Sequence, residues 1–336
     1  MKKNLTTGIL FLVLASVAAY FYFNRGSGTI KKELIDFAVK DTASITKIFM
    51  ADKGGRTILL DRMAPDLWRL NNQYEARQDA VETLLATIHS VKVKAPINQS
   101  SFEQIVKNIA SNSIKVEIYQ GGEKPTKVYY VGGANQLHSG TNMLMEGSSR
   151  PFVMHIEGFH GFINPRYFTN VNDWRSTRLF TYSKGEIARL EVKFNKEPSR
   201  SVAIDVHENG HDLAMTRLED GSPIVPFDTL VAHQYLAQYK KIHFEGFEET
   251  KTDSFIDSIR SSTPKDVFTI TDRAGNVTEL KTFLKPVKEG AEDLEGNPIE
   301  YDADRMYGVI NDSEFVIIQY HVFDPLTGGI KHFTKP

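Results

Sequence analysis

The sequence predicts an α+β fold: an N-terminal transmembrane helix, then two tandem, internally duplicated units of mostly antiparallel sheet, each with one main amphipathic helix. Three observations predict it. No charged residue occurs between Asn4 and Asn24. Beyond that run, stretches of alternating strand pattern are punctuated by helical patterns instead of trading with them one for one. Several passages of the first half then return in the same order in the second. The expected organisation is a signal anchor over 1–25, a tether over 26–42, a first unit over 43–178 and a second over 179–336.

The anchor comes first. Gly8 to Phe23 reads GILFLVLASVAAYFYF. At 1.5 Å of rise per residue, roughly 21 uncharged positions cover about 30 Å, the thickness of a bilayer's hydrocarbon core. Ile9, Leu10, Phe11, Leu12, Val13 and Leu14 form its apolar body, and Tyr20, Phe21, Tyr22 and Phe23 an aromatic cluster suited to the membrane interface. Such a cluster is awkward just after a cleavage site, so an uncleaved anchor is preferred to a signal peptide with Val17 and Ala19 before the cut. Lys2 and Lys3 favour a cytoplasmic N-terminus, against which Arg25, Lys31 and Lys32 count. A short, partly helical tether would keep the body close to the bilayer.

In the first unit, ITKIFMADKGGRTILL (45–60) reads as two alternating strands around a polar turn, and IARLEVKFNKEPSRSVAI (187–204) repeats that pattern. Asp66-Leu67 then precedes a helical pattern at Val81, Leu84, Leu85 and Ile88, as Asp212-Leu213 precedes one at Phe227, Leu230, Val231 and Tyr235. The separation is the same from 66 to 212, 81 to 227 and 84 to 230, which implies alignment without a gap and sets Ala214 against Trp68. After a shorter helix in each unit, the hairpin IKVEIYQGGEKPTKVYYV (114–131) faces VFTITDRAGNVTELKTFL (267–284), and PFVMHIEGF (151–159) faces EFVIIQYHVF (314–323). The boundary is expected near Ser176 to Lys184, past the Asp173-Trp174-Arg175 clasp.

Composition excludes several functions. With 40 Lys and Arg against 42 Asp and Glu, the chain has no basic footprint for a nucleic-acid backbone. Cysteine is absent, which removes disulfides, thiolate nucleophiles, Cys-ligated zinc, iron-sulfur clusters and a lipid-bearing N-terminal Cys.

One motif spells catalysis. His207-Glu208-Asn209-Gly210-His211 matches H-E-x-x-H, in which a helix sets two imidazoles on one face around zinc, with Glu as general base. Here Val202, Ile204 and Val206 alternate before it, Leu213 and Met215 after it, and Asn-Gly is a strong hairpin turn signal. With Asn209 and Gly210 as a two-residue loop, Glu208 faces His211, His207 faces Asp212 and Val206 faces Leu213. The imidazoles then point to opposite faces, because side chains alternate along a strand. A zinc-dependent hydrolase is accordingly the lesser alternative, and no metal or cofactor is expected.

Other candidates have plainer readings. EGAEDLEGNPIEYDAD (289–304) holds seven acidic residues without the EF-hand order, and reads as a solvated loop or a docking surface for a basic partner. Phe159, Phe162 and Phe168, in the aromatic stretch 155–168, are expected to pack between the units. His89, His233 and His243 read as ordinary surface or core residues, and the Gly-Gly pairs at 54, 121 and 132 as turns. No phosphate-cradling loop and no G-x-S-x-G elbow occurs.

The passages ITKIFMADKGGRTILLDRMAPDLWRL, VYYVGGANQLHSGTNMLMEGSSRPFVMHIEGF and NDWRSTRLFTYSKGEIARLEVKF, in their order and spacing, resemble the bacterial domain of unknown function 4340 family, in the form common in Bacteroidota. The resemblance covers most of the chain beyond Lys40. It implies an inner-membrane protein with one anchor and a periplasmic body, found with auxiliary parts of ABC-type transport systems, including those linked to gliding motility. It supplies no catalytic residue. The expected function is that of a non-catalytic accessory or scaffold protein with the membrane and envelope proteins as partners; the alternative is capture of an envelope ligand such as a glycan or peptide.

Overall fold

The computed structural model describes residues 36–183, 185–293 and 295–334, together with Ser16. The anchor residues Ile9 to Leu14 and Tyr20 to Phe23 lie outside the described residues. Among the described residues, no helix is long and apolar enough to cross a membrane. The chain divides into two compact units after Ser176. Thr177 and Arg178 fall in the second because β10 (Arg178–Phe180) pairs with β14 (Ile242–His243) further along the chain.

The first unit holds β1 (Lys47–Ala51), β2 (Thr57–Ala64), β3 (Leu67–Leu70), β4 (Tyr74–Glu75), β5 (Val91–Pro96), β6 (Ile114–Tyr119), β7 (Lys127–Ala134), β8 (Thr141–Met145) and β9 (Phe152–Ile156). They form one nine-stranded sheet in the order β4-β3-β2-β1-β6-β7-β8-β9-β5. The second holds β11 (Ile187–Phe194), β12 (Val202–Val206), β13 (Leu213–Arg217), β15 (Gly246–Phe247), β16 (Asp266–Asp272), β17 (Val277–Pro286), β18 (Tyr301–Ile310) and β19 (Glu314–Gln319). Their order is β13-β12-β11-β16-β17-β18-β19-β15. Apart from β4, the two orders are the same, and the ladders are antiparallel in both.

Register agrees as well as order. Ile48 on β1 lies between Leu60 and Ile118, as Leu190 on β11 lies between Ile204 and Ile270. Tyr129 on β7 lies between Val116 and Met145, as Leu280 on β17 lies between Phe268 and Ile310. These side chains share one sheet face because successive residues alternate. Against that face lies α1 (Gln78–Ser90) in the first unit and α3 (Thr229–Gln238) in the second, the latter capped by Asp228, whose carboxylate accepts from the Leu230 and Val231 amides. A shorter helix follows in each unit, α2 (Phe102–Asn112) and α4 (Asp253–Arg260). α4 lies on the opposite sheet face: Phe255, Ile256 and Ile259 join Phe283, Tyr307, Val309 and Phe315 in a cluster separate from the main core.

The gapless alignment does not hold. Leu230, set against Leu84, is 64% exposed, and α3 buries Ala232, Tyr235 and Leu236 instead, with Tyr239 just past its end. Core positions on the two helices therefore correspond as 81 to 232, 84 to 235, 85 to 236 and 88 to 239. The longer stretch from Met215 to the helix, 216–228 against 71–77, accounts for the shift. Trp68 also changes mate. It faces Arg62 two residues past the Leu60–Leu70 pair, as Leu213 faces Val206 two residues past Ile204–Met215. Leu213, not Ala214, occupies the Trp68 position, and the shared Asp-Leu spelling is coincidental.

Residues 36–42, read as the end of the tether, belong to the first unit and are not α-helical. Phe37 and Val39 are buried, Phe37 lies 5.8 Å from the Tyr129 ring, and the Val39 amide donates to the Ile88 carbonyl. Asp52 joins both ends of this unit. Its carboxylate accepts from the Gly54 and Arg56 amides in the β1–β2 turn and, at 2.6 Å, from the Thr169 hydroxyl. That hydroxyl above all holds the Asp52 carboxyl at about 2, below the usual carboxylate range.

Candidate functional site

The H-E-x-x-H residues form the β12–β13 turn, outside any helix. Val206 pairs with Leu213, and the His207 amide donates to the Asp212 carbonyl, as the alternation requires. The loop itself is wider than a two-residue one. The Gly210 amide donates to His207, Gly210 alone takes a left-handed φ of +69°, and Asn209 Oδ1 accepts from the His211 and Asp212 amides. An Asx-type turn of this kind spreads over Glu208 to His211, so Glu208 and His211 form no ladder pair. His207, Glu208 and His211 are all exposed, and no group of three or more metal-ligating side chains occurs among the described residues.

The remaining sequence candidates have structural occupations. In the acidic stretch, Asp293 caps the Glu295 and Asn297 amides and Asp302 pairs with Lys285 at 2.6 Å. In the aromatic stretch, Tyr167 and the aliphatic Ile163 are buried in the first unit's own core, Phe168 stacks on Trp174 at 4.2 Å, and Phe159 is 38% exposed beneath the Arg166 guanidinium. Trp174 is fully buried and donates to the Phe168 carbonyl, while Arg175 lies over the Tyr74 ring. That is a structural clasp. His89 and His233 bond the carbonyls of Lys40 and His211, and His243 approaches the Thr177 hydroxyl.

A concave site that no sequence motif marks lies in the first unit, between α2 and strands β7 and β8. Gly132 and Gly133 are not in a turn; they form a bulge within β7. Val131 faces Met143 and Ala134 faces Thr141, so both glycines oppose the single residue Asn142. A Cβ on Gly132 would meet Ile109 of α2 and the Asn142 carbonyl at 2.9 Å, so glycine lets the helix approach this closely.

Asn142 is 7% exposed, and its Oδ1 has no hydrogen-bond partner; its amide nitrogen makes a long 3.5 Å approach to the Ala134 carbonyl. Beside it opens a hollow of about 590 Å³, lined by Ile105, Asn108 and Asn112 of α2 and by Asn164 and Pro165. No charged side chain lines it. Tyr167, at its base, is held neutral because burial pushes its phenol up to about 12. A second hollow of about 430 Å³ shares Ile105, Asn108, Ala134 and Asn142. The signal available in the sequence was Gly-Gly inside an otherwise alternating strand, which marks a bulge more readily than a turn.

A family model described as a domain of unknown function, DUF4340, matches residues 68–274, from β3 to the β16–β17 turn. No curated protein and no solved structure matches the chain.

Proposed function

We propose a function on the premise that this chain belongs to the DUF4340 family. The protein is a membrane-anchored, non-catalytic accessory or scaffold protein of a bacterial envelope complex, associated with an ABC-type transport or gliding-related system, its body in the periplasm. Its two units are copies of one sheet module. The observation that carries this reading is the docking of Phe37 into the first unit so soon after the uncharged run ends at Asn24. A dozen intervening residues reach at most about 45 Å even when fully extended. A run long enough to span a bilayer thus holds a folded body against the membrane surface, where neighbouring envelope proteins lie.

The common strand order supports the duplication, and the placement of His207 and His211 in a turn removes the helical face that zinc peptidase chemistry uses. Extraction of the full chain in mild detergent is the test. It should fractionate with membranes and co-purify with envelope proteins at fixed stoichiometry, and removal of residues 1–25 should release it. Recovery of the intact chain from the soluble fraction, or always alone, would overturn the proposal.

A further inference from the structure

We propose that the hollow beside Asn142 is a binding site for a neutral, polyhydroxylated ligand, a saccharide of one or two rings. The second unit fills the same point with aromatic side chains. On the face covered by α4, Phe283 lies directly opposite Tyr307, flanked by the regular pairs Thr282–Gly308 and Leu284–Met306. Tyr307 is 1% exposed and packs against Phe255 of α4 and against Phe315, with ring centroids at 5.8 Å and 4.9 Å. The position is sealed by apolar contact.

The first unit departs from this at each residue. Met143 faces Phe152 as Gly308 faces Val316, so Asn142 stands where Tyr307 stands. The Gly132-Gly133 bulge replaces Phe283 and its regular register. The aromatic cluster is exchanged for an open hollow walled by four asparagines. Each exchange costs stability: a ladder pair is interrupted, aromatic packing is lost, and a buried acceptor is left without a donor. Local rules broken together at one point, beside a cavity, are the mark of a functional site.

The lining selects the ligand. A charged ligand would give up its hydration with no counter-charge in the wall. A wholly apolar one would leave Asn142 Oδ1 orphaned. Asn142 Oδ1 is closed off from solvent, so a ligand hydroxyl reaches it by a small turn of the Asn142 amide toward the hollow; there it can donate to Oδ1 and accept from a neighbouring amide nitrogen at the same time, which one peptide N–H cannot. Asn108 is arranged for the second half of that exchange, since its Oδ1 already accepts from Gln104 Nε2 and its amide nitrogen remains to donate. Ile105 and Pro165 supply apolar surface for the C–H face of a ring, and about 590 Å³ is within the ordinary range for small-ligand sites. The proposal is independent of whether the chain has a protein partner.

The test is an array of neutral and charged oligosaccharides and short peptides, probed with the full chain and two variants. Asn142→Leu removes the acceptor while keeping an apolar shape for the β7–β8 contact. Gly133→Phe fills the hollow from a position where a Cβ meets nothing within 4 Å. The wild type should retain at least one neutral oligosaccharide. Both variants should bind it at least tenfold more weakly, and Asn142→Leu should melt no lower than wild type, which separates loss of ligand from loss of fold. If Asn142→Leu does not fold, Gly133→Phe decides. Retention of charged glycans or peptides alone, retention of nothing, or undiminished binding by a folded variant would overturn the proposal.

Discussion

Tyr235→Ala is expected to destabilise the second unit by about 3–5 kcal/mol, and Leu230→Ala by less than about 0.5 kcal/mol. Both side chains are large and both lie on α3, yet Tyr235 is fully buried and Leu230 is 64% exposed. Tyr235 lies 5.6 Å from the Tyr239 ring and 5.1 Å from Phe333, and its hydroxyl donates to the Leu326 carbonyl at 2.5 Å. Truncation removes that packing and leaves a buried carbonyl without its donor. Chemical denaturation, with hydrogen exchange read on β16 and β17, checks both numbers. The result distinguishes the two alignments of the helices, because a gapless one makes Leu230 the counterpart of the fully buried Leu84.

Gly308→Ala is expected to cost about 1–3 kcal/mol by overpacking. A Cβ there would lie 2.9 Å from Val316 Cγ2, 3.0 Å from Leu280 Cδ1 and 3.2 Å from Ile318 Cγ2, all stiffly held core side chains. The corresponding residue of the first unit is Met143, buried between Val131 and Phe152. The two cores fill the same place with different partitions of volume, so exchanging one residue between them disrupts packing even though the strand order is common. A thermal or denaturant midpoint measured on Gly308→Ala tests this. Loss at the upper end of the range would place the strain in β18 and β19, which hydrogen exchange resolves.

Hairpins were the most legible part of this fold. Alternation in Ile45 to Leu60 and Ile187 to Ile204, with polar turns between, is a local property, and β1–β2 and β11–β12 form as the pattern requires. The turn at His207 to His211 was readable for the same reason: β-branched and apolar residues alternate on either side, and this outweighs a five-residue motif. The helix register was not legible. Phe227 and Leu230 imitate the spacing of Val81 and Leu84, and this outweighed the one local sign that the helix starts later, at Thr229, namely Asp228 as its cap. Only the pairing of distant strands fixes which face is inward.

The candidate site was less legible still. Asn142 is one polar residue in a strand pattern, and its orphaned acceptor arises from a bulge and a helix brought together by folding. The contrast with Tyr307 becomes visible once register equates the two positions. Trp68 gives the same lesson from the opposite side, since equal spelling of Asp66-Leu67 and Asp212-Leu213 assigned it the wrong counterpart.

The proposed duplication of one sheet module is tested most directly by engineered disulfides, for which a chain without cysteine is well suited. Phe49 on β1 faces Glu117 on β6, and at the equivalent place Glu191 on β11 faces Thr269 on β16. Both pairs join strands distant in sequence, at a separation that a disulfide spans. The account predicts that Phe49→Cys with Glu117→Cys, and Glu191→Cys with Thr269→Cys, each cross-link rapidly on mild oxidation of the folded chain. One pair closing while the other stays reduced, or either preferring a partner one residue along the strand, would contradict it.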